Sequence, residues 1–241
     1  MATFNGERFL QEQIGSILAQ LDPDDEVVVV DDASQDATVD VIEQIGDARV
    51  KVVRHADNRG YVPTFEEALS LARGEYIFLS DQDDIWTPGR VELMIAALQS
   101  AQLVVGNCEH FGGELTPFLR LRLRSADSTH RLRNILGIIV GYRLHWGSAM
   151  AIRAEFKRLV LPFPQGTLES HDQWLALAAN VVSSVEYLEE DVVLHRLHSQ
   201  NVTPKGVRGA RAIVRARVQF LKELLIARRR WRRLMTASSA K

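Results

Sequence analysis

The chain has little of what marks a secreted or membrane-spanning protein. Its 241 residues include one cysteine, Cys108, which excludes an internal disulfide. No apolar run approaches the ~20 residues that are needed to span a bilayer. The N-terminus also lacks the basic segment and following apolar segment of a secretory signal. These absences predict a cytoplasmic protein.

Charge is distributed unevenly along the chain. Residues 205–241 hold twelve Lys and Arg residues and one acidic residue, whereas residues 1–204 hold seventeen basic and thirty acidic residues. The overall net charge of −2 therefore conceals an acidic body and a basic tail. A basic tail of this kind favours an anionic surface as its partner.

Short apolar runs alternate with segments of helical periodicity. The predicted strands are 26–30, 50–54, 76–79, 103–107, 147–153, 185–188 and 192–195, and the predicted helices are 7–20, 38–45, 64–72, 88–100, 154–161 and 169–180. Ser34 or Asp36 is expected to cap the second helix and Thr64 the third. The alternation predicts an α/β fold: a Rossmann-like, mostly parallel, doubly wound sheet with helices on both faces.

The apolar run 76–79 ends in the acidic stretch Asp81, Gln82, Asp83 and Asp84. Ligands of open α/β sheets bind at the carboxyl ends of strands, and carboxylates placed there suit Mg²⁺ or Mn²⁺ shared with substrate phosphates. A solvated polar turn is one alternative. A phosphotransferase aspartate is another, although such a nucleophile normally ends the first strand.

Five motifs occur in a consistent order: ATFNGERFLQEQIGSIL, VVVVDDASQDAT, GEYIFLSDQDDIWTPGRVE, WGSAMAIR, and SHDQWLALAA followed by LHRLHSQNVT. Together they resemble the family 2 glycosyltransferases with the GT-A fold, especially the bacterial rhamnosyltransferase-like group. The resemblance covers residues 1–204. It implies a nucleotide-binding half over 1–107 and an acceptor-binding half over 108–204.

The resemblance also implies roles for individual residues. Asp81 and Asp83 form the D-x-D pair, with Asp83 in direct contact with a Mn²⁺ or Mg²⁺ ion that His198 also reaches. Asp32 contacts the base of the nucleotide, although it could instead cap the helix 38–45, and Asp31 is the structural one of the pair. The other residues expected around the nucleotide and donor are Ala2, Phe4, Glu7, Arg59, Asp84 and Arg196.

Asp172 matches the catalytic base of the family. An inverting transfer needs one base that removes the proton of the acceptor hydroxyl as it attacks C1 of the sugar. An acid in the first turn of a helix, favoured there by the helix dipole, is the alternative for this residue. Trp174 is either a sugar platform or a core residue.

The implied function is transfer of a sugar from a dTDP- or UDP-sugar, with dTDP-L-rhamnose suggested by the group, to a glycan or lipid-linked acceptor in cell-surface polysaccharide synthesis. Only Met1 to Thr3 precede the first turn, so the first strand is expected to be shortened. A degenerate nucleotide-sugar binding protein is therefore an alternative. A sugar nucleotidyltransferase would need a glycine-rich, lysine-containing N-terminal loop that this sequence does not show.

Two segments remain. Residues 112–134 are rich in arginine and are interpreted as a substrate loop, with a solvated face as the alternative. A helix is predicted over 207–235, with the apolar stripe Val214, Val218, Leu221 and Leu225 beside the basic stripe Arg211, Arg215, Lys222, Arg229 and Arg233. Such a helix favours an anionic membrane surface at the inner face of the plasma membrane over nucleic acid. Packing on the enzyme's own body is the other interpretation.

Overall fold

The computed structural model describes residues 1–113, 121–143, 145–167, 171–198 and 209–239. The strands are β1 (Ala2–Thr3), β2 (Val27–Asp31), β3 (Val50–Arg54), β4 (Tyr76–Phe78), β5 (Ile85–Trp86), β6 (Leu103–Phe111), β7 (Met150–Arg153) and β8 (Val185–Arg196). The helices are α1 (Leu10–Leu18), α2 (Thr38–Ile45), α3 (Tyr61–Leu71), α4 (Arg90–Leu98), α5 (Arg131–Val140), α6 (Lys157–Val160), α7 (His171–Val181) and α8 (Ala210–Ser239).

The first half of the chain builds a parallel sheet in the order β1-β2-β3. Ala2 pairs with Val30, and Val27 with Val50. The run of four valines in β2 is buried on both faces, as parallel strands covered by helices require. All three strands therefore end at the same edge, where the polar turns that follow them meet.

The second sheet has the order β4-β7-β6-β8-β5 and mixes strand directions. β6 and β8 are parallel, whereas β4 and β6 both run antiparallel to β7, and β5 runs antiparallel to β8. The parallel pairing expected from the sequence thus holds for the first sheet and for β6 with β8. The antiparallel pairs arise because β7 lies between β4 and β6, and β5 lies beside β8, each in the direction opposite to its neighbours.

Most elements match their sequence-based ranges, but four predictions were wrong. The helix α3 begins at Tyr61, so Thr64 lies inside it and donates its hydroxyl to the Gly60 carbonyl instead of capping it. The runs 185–188 and 192–195 are one continuous strand, β8. The loop expected over 112–134 contains a 3₁₀ turn (Ser125–Thr129) and the start of α5, while residues 114–120 lie outside the described residues. The helix 154–161 is a 3₁₀ turn followed by the four-residue α6.

The helix α8 packs along the body of the protein. Its buried side chains Phe220, Leu224 and Ala227 join a core that also contains Trp174 of α7. The apolar stripe expected to bind a surface is on the other side, since Val214, Val218, Leu221 and Leu225 are all exposed. Within the described residues, no helix combines the length and apolar character needed to cross a membrane.

Candidate active site

The acidic loop, residues 81–84, follows β4 and is held in place by two glutamines. Gln13 of α1 donates to the Ser80 hydroxyl at 2.6 Å and to the Asp81 carbonyl at 2.9 Å. The side chain of Gln82 accepts from the Phe4 amide at 2.7 Å and donates to the Phe4 carbonyl at 3.0 Å. The middle residue of the D-x-D motif therefore ties this loop to the turn after β1.

Gly6 lies against the side chain of Gln82, which a larger residue at position 6 would displace from its bonds to Phe4. A Cβ at position 6 would lie 2.4 Å from Gln82 Oε1, well inside contact distance. The same turn is fixed to the loop after β2, because the amide of Asn5 donates to the Ser34 hydroxyl and Glu7 Oε2 accepts from the Ala37 amide. Glu7, expected in the nucleotide pocket, thus also orders the loop that borders that pocket.

Burial and neighbouring negative charge raise the pKa of two of the three aspartates in the acidic loop. Burial, followed by the charges of Asp84 and Asp83, raises the pKa of Asp81 well above its usual range. Burial and Asp84 also raise the pKa of Asp83, although a hydrogen bond from His198 opposes the shift. Asp84 is almost completely buried, and its Oδ2 has no hydrogen-bond partner among the described residues. Negative charge is therefore concentrated here.

The end of β8 supplies basic groups to the acidic loop. His195 Nδ1 lies 2.8 Å from Asp84 Oδ1, and His198 Nε2 lies 2.7 Å from Asp83 Oδ2. The guanidinium of Arg196 lies between the Phe9 and Phe111 rings and donates from Nε to the Asp83 carbonyl at 3.0 Å. The late basic motif and the D-x-D motif, more than a hundred residues apart, are thus in direct contact.

A buried arginine that the sequence reasoning missed lies beneath this loop. Arg90, at the start of α4, is 1% exposed and donates to the carbonyls of Leu79 and Ser148. Its guanidinium stacks 4.2 Å from the centre of the Trp86 ring. Burial lowers the pKa of Arg90 to about 9, and the charges of Asp84 and Asp81 oppose that shift. In the sequence, Pro88-Gly89-Arg90 indicates only the start of a helix and does not predict that Arg90 is buried.

Asp32 organises the loop between β3 and α3. Its carboxylate accepts from the amides of Arg59 and Gly60, each at 2.8 Å, and lies 2.8 Å from His55 Nδ1. Burial opposes ionisation, but these donors hold the pKa of Asp32 below its usual range. Asp32 thus orders this loop and makes no capping bond to α2. The first amide of α2, that of Thr38, instead donates to the carboxylate of Asp36, one of the two residues expected there.

Two further residues expected around the nucleotide are exposed. Phe4 is 44% exposed, and Arg59 is exposed with an ion pair to Glu67. A cleft of about 530 Å³ opens at the ends of β2 and β3, lined by Ala33, Ser34, Gln35, Arg54, His55 and Ala56. Asp31, by contrast, is fully buried and bonded to Thr3 and Ser34, so its structural role is confirmed.

Asp172 lies in the first turn of α7. Burial raises its pKa to about 7, even though Oδ1 accepts from the Gln173 amide at 2.7 Å. Its charge contributes to the raised pKa of Asp81, which places the two carboxylates within electrostatic range of each other. Asp172 is half-buried, and a carboxyl with a pKa near neutrality is the type of group that acts as a general base.

Known proteins resemble this chain in both sequence and fold. The family model described as "Glycosyl transferase family 2" matches residues 1–157, about two thirds of the chain. The chain belongs to glycosyl transferase family 2. An uncharacterized glycosyltransferase of Nostoc sp. is 26% identical over 213 residues, which cover 83% of this chain and 64% of that protein. The resemblance seen in the motifs is confirmed at the level of the family, while the rhamnosyltransferase-like group stays a prediction.

Other similarities are more partial. An Escherichia coli protein named UDP-Glc:alpha-D-GlcNAc-diphosphoundecaprenol beta-1,3-glucosyltransferase WfgD is 30% identical over 111 residues, 45% of this chain and 44% of that protein. The chain therefore spans less than two thirds of the length of these curated relatives.

Solved structures confirm the α/β, GT-A type of fold. S. aureus TarS in complex with UDP-GlcNAc superimposes with a TM-score of 0.71 at 18% identity, covering 93% of this chain and 65% of that one. A mannosyltransferase of Pyrobaculum calidifontis in complex with GDP-Man and Mn²⁺ gives a TM-score of 0.56 at 18% identity, covering 100% and 74%.

Near the end of the matched region, aromatic side chains pack together beside the acidic loop. Trp146 is partly exposed and packs against His195, with ring centres 5.1 Å apart, and against His110 at 5.6 Å. These rings adjoin Asp84 through His195. Trp174, in contrast, is fully buried and donates from Nε1 to the Val160 carbonyl, so it is a core residue.

The segment before α7 is fastened by α8, a connection that the sequence reasoning missed. Arg230 donates to the carbonyls of Leu159, Val160 and Pro162 at 2.7–3.0 Å. Glu223, which is fully buried, accepts from the Thr167 hydroxyl at 2.6 Å, and its charge contributes to the raised pKa of Asp172. The helix α8 thus positions the element that carries Asp172.

We expect Arg230→Ala to destabilise the fold by about 1.5–3 kcal/mol, because charge-assisted bonds to buried carbonyls would be lost. The neighbouring Arg229 is exposed, so Arg229→Ala is the matched control and should change stability by less than about 0.5 kcal/mol. Chemical denaturation of both variants checks this difference. Equal stability of the two variants would show that α8 does not fasten the segment before α7.

Proposed function

We propose that the chain transfers a sugar from a nucleotide-diphosphate donor to a hydroxyl group of a glycan or lipid-linked acceptor in cell-surface polysaccharide synthesis. The observation that carries this proposal is that three groups are linked at one edge of the sheets. The acidic loop contacts the basic end of β8. The turn after β1 bonds to the acidic loop through Phe4 and Gln82, and to the lining of the cleft after β2 and β3 through Asn5 and Ser34. This is where an α/β sheet binds its ligands.

The donor set of the acidic loop fits a divalent cation. Asp81 and Asp83 have raised pKa values and Asp84 keeps an unsatisfied buried oxygen, so added positive charge would relieve this cluster. Among the described residues no group of three or more His, Cys, Asp or Glu side chains is arranged as a complete ligand set. Mg²⁺ and Mn²⁺ need only one or two carboxylates when the substrate phosphates and water complete the shell. Asp81, Asp83 and His198 would hold the ion.

When bound, the ion would supply positive charge where negative charge builds up on the leaving diphosphate. The guanidinium of Arg196, fixed between two aromatic rings, would lie beside the same diphosphate. Its position is set before the donor arrives, which reduces the reorganisation that the reaction requires.

The chemical step itself needs one base. Asp172 would accept the proton of the acceptor hydroxyl while the oxygen attacks C1 of the sugar and the bond from C1 to the diphosphate breaks. Attack from the face opposite the diphosphate inverts the anomeric centre. This geometry needs no covalent intermediate with the protein, so one base is sufficient.

The donor is proposed to be a UDP- or dTDP-sugar. The name of the E. coli relative includes UDP-Glc and a diphosphoundecaprenol acceptor, and the TarS structure contains UDP-GlcNAc, which supports a uridine nucleotide and a lipid-linked acceptor. dTDP-L-rhamnose is supported by the motif resemblance alone. A cytoplasmic enzyme at the inner face of the plasma membrane would meet both substrates.

The proposal is tested by incubating the protein with UDP-glucose, UDP-GlcNAc or dTDP-L-rhamnose, Mn²⁺ and a synthetic polyprenyl-diphosphate sugar. Mass spectrometry should detect a product larger by one sugar, and NMR should show the inverted anomer. Asp83→Asn should abolish transfer, while Asp24→Asn, an exposed acid in the turn before β2, should not. Nucleotide binding without any transfer would favour the degenerate sugar-nucleotide binding protein instead.

We expect the transfer rate to fall as the pH decreases through about 7. The base must be ionised, and burial raises the pKa of Asp172 to about 7. Asp172→Asn should lower the rate by about 10²–10⁴-fold while leaving nucleotide binding unchanged. Rate profiles against pH, with binding measured in parallel, check both statements.

The dependence of folding stability on pH provides a second test of the raised pKa of Asp172. A carboxyl whose pKa is raised on folding stabilises the fold below its unfolded pKa of about 4, and this contribution is lost as the pH rises to the folded pKa. Asp172→Asn should therefore have a higher melting temperature than the wild type above pH 7. The difference should vanish on acidification; a constant difference at all pH values would refute the raised pKa.

A further inference from the structure

Two adjacent helices expose a continuous aliphatic surface. On α8, the side chains of Val214, Val218, Leu221 and Leu225 are 46–61% exposed. At about 100° per residue these four positions fall within an arc of about 60°. They lie on the side of α8 away from Phe220, Leu224 and Ala227, which are in the core. The core therefore does not use this stripe.

The helix α5 adds a second stripe. Leu132, Leu136 and Val140 recur every four residues and are 54–66% exposed, and Tyr142 just beyond the helix is 45% exposed. Large side chains at this spacing form one face of a helix. The loop predicted over 112–134 includes the first residues of α5, so this second stripe is visible only in the structure.

The two helices run side by side in opposite directions. Near the start of α5, a groove is lined by Arg131, Leu132, Ile135, Val181, Arg228, Trp231 and Arg232. At its end, a Cβ on Gly141 would lie 2.7 Å from the Arg217 guanidinium carbon. The beginning of α5 thus contacts the later part of α8, and its end contacts the earlier part. The two stripes form one surface, here called the α5–α8 surface.

Basic side chains border the α5–α8 surface. Arg211, Arg215, Lys222, Arg229 and Arg233 are exposed beside the aliphatic stripe of α8, over a length of about 33 Å. The only acidic residue in 209–239 is Glu223, whose side chain is buried on the opposite side, and residues 131–143 contain none. Aliphatic groups bordered by cations match the interface of a bilayer that contains anionic lipids.

We propose that the α5–α8 surface docks on an anionic lipid bilayer, with the aliphatic stripes in the headgroup region and the basic side chains on lipid phosphates. A second copy of the chain is disfavoured because its basic border would face the same charges. Nucleic acid would use the arginines but would gain little from the eight exposed aliphatic and aromatic side chains.

The orientation suits the proposed lipid-linked acceptor. Glu223 and Gln219 of α8 contact the segment before α7, on the side of α8 that faces the Asp172 region. One helix, about 10–12 Å across, would therefore separate the bilayer from the catalytic base. This part of the inference rests on the proposed function, whereas lipid binding itself does not.

Flotation with vesicles tests the inference. The full chain should float with vesicles of phosphatidylcholine and phosphatidylglycerol, and should bind phosphatidylcholine alone weakly. Two sets of substitutions, Val218→Ser/Leu221→Ser/Leu225→Ser on α8 and Leu132→Ser/Leu136→Ser on α5, should each lower the bound fraction by about tenfold. Leu71→Ser removes a similarly exposed leucine from α3 and should leave binding unchanged. Circular dichroism of each variant confirms that it is folded.

Several outcomes would overturn the inference. Binding that survives both sets of substitutions, or equal binding to neutral and anionic vesicles, would reject the α5–α8 surface as the lipid contact. Loss on α8 alone would remove α5 from it. Tight binding of a single-stranded oligonucleotide that is insensitive to the aliphatic substitutions, without vesicle binding, would identify nucleic acid instead. Asp83→Asn should float normally, so a failure of sugar transfer remains distinguishable from a failure of lipid binding.

Discussion

Mutual repulsion among the carboxylates of Asp81, Asp83 and Asp84 is the constraint on which the rest of the site depends. These acids lie in a largely buried loop, where burial and the charge of Asp84 oppose ionisation of Asp81 and Asp83. The surroundings offset this repulsion without removing it. His195 and His198 contact two of the acids, Arg90 lies buried beneath them, and Gln13 and Gln82 hold the backbone. A site arranged in this way favours a cation and the phosphates that it brings.

The fold brings these groups together by joining two kinds of sheet at one edge. The parallel strands β1, β2 and β3 place the turns that border the cleft side by side. The mixed second sheet carries the acidic loop and, through β8, the basic segment that contacts it. The two hydrogen bonds between the side chain of Gln82 and the backbone of Phe4 link the loops that follow β4 and β1, and so connect the two sheets. The helix α8 then fastens the segment before α7, so Asp172, the acids and the cleft belong to one connected framework.

Local patterns predicted much of this structure. The ranges of α2 and β3 agree to the residue, because each has a clear period and clear boundaries. The contact between Asp83 and His198 joins residues far apart in sequence, and only the family resemblance suggested that they meet. The contact between Asp84 and His195 was not predicted. The helix α5 was not predicted because its apolar residues lie on two different faces, which obscures the helical period of the sequence. Ile135 and Ile138 are buried, whereas Leu132 and Leu136 are exposed. Arg90 and Glu223 could not be predicted, since their roles depend on burial by distant elements.

The most direct test of the central claim is calorimetric titration of UDP and dTDP into the purified chain, with Mn²⁺ and after chelation. If the acidic loop binds a cation that in turn binds the diphosphate, nucleotide binding should be strong with Mn²⁺, weak without it, and lost in Asp83→Asn. The preferred base would also identify the donor class. Equal binding in the presence and absence of the metal, or no binding by a folded sample, would contradict the claim that these carboxylates form a metal-diphosphate site.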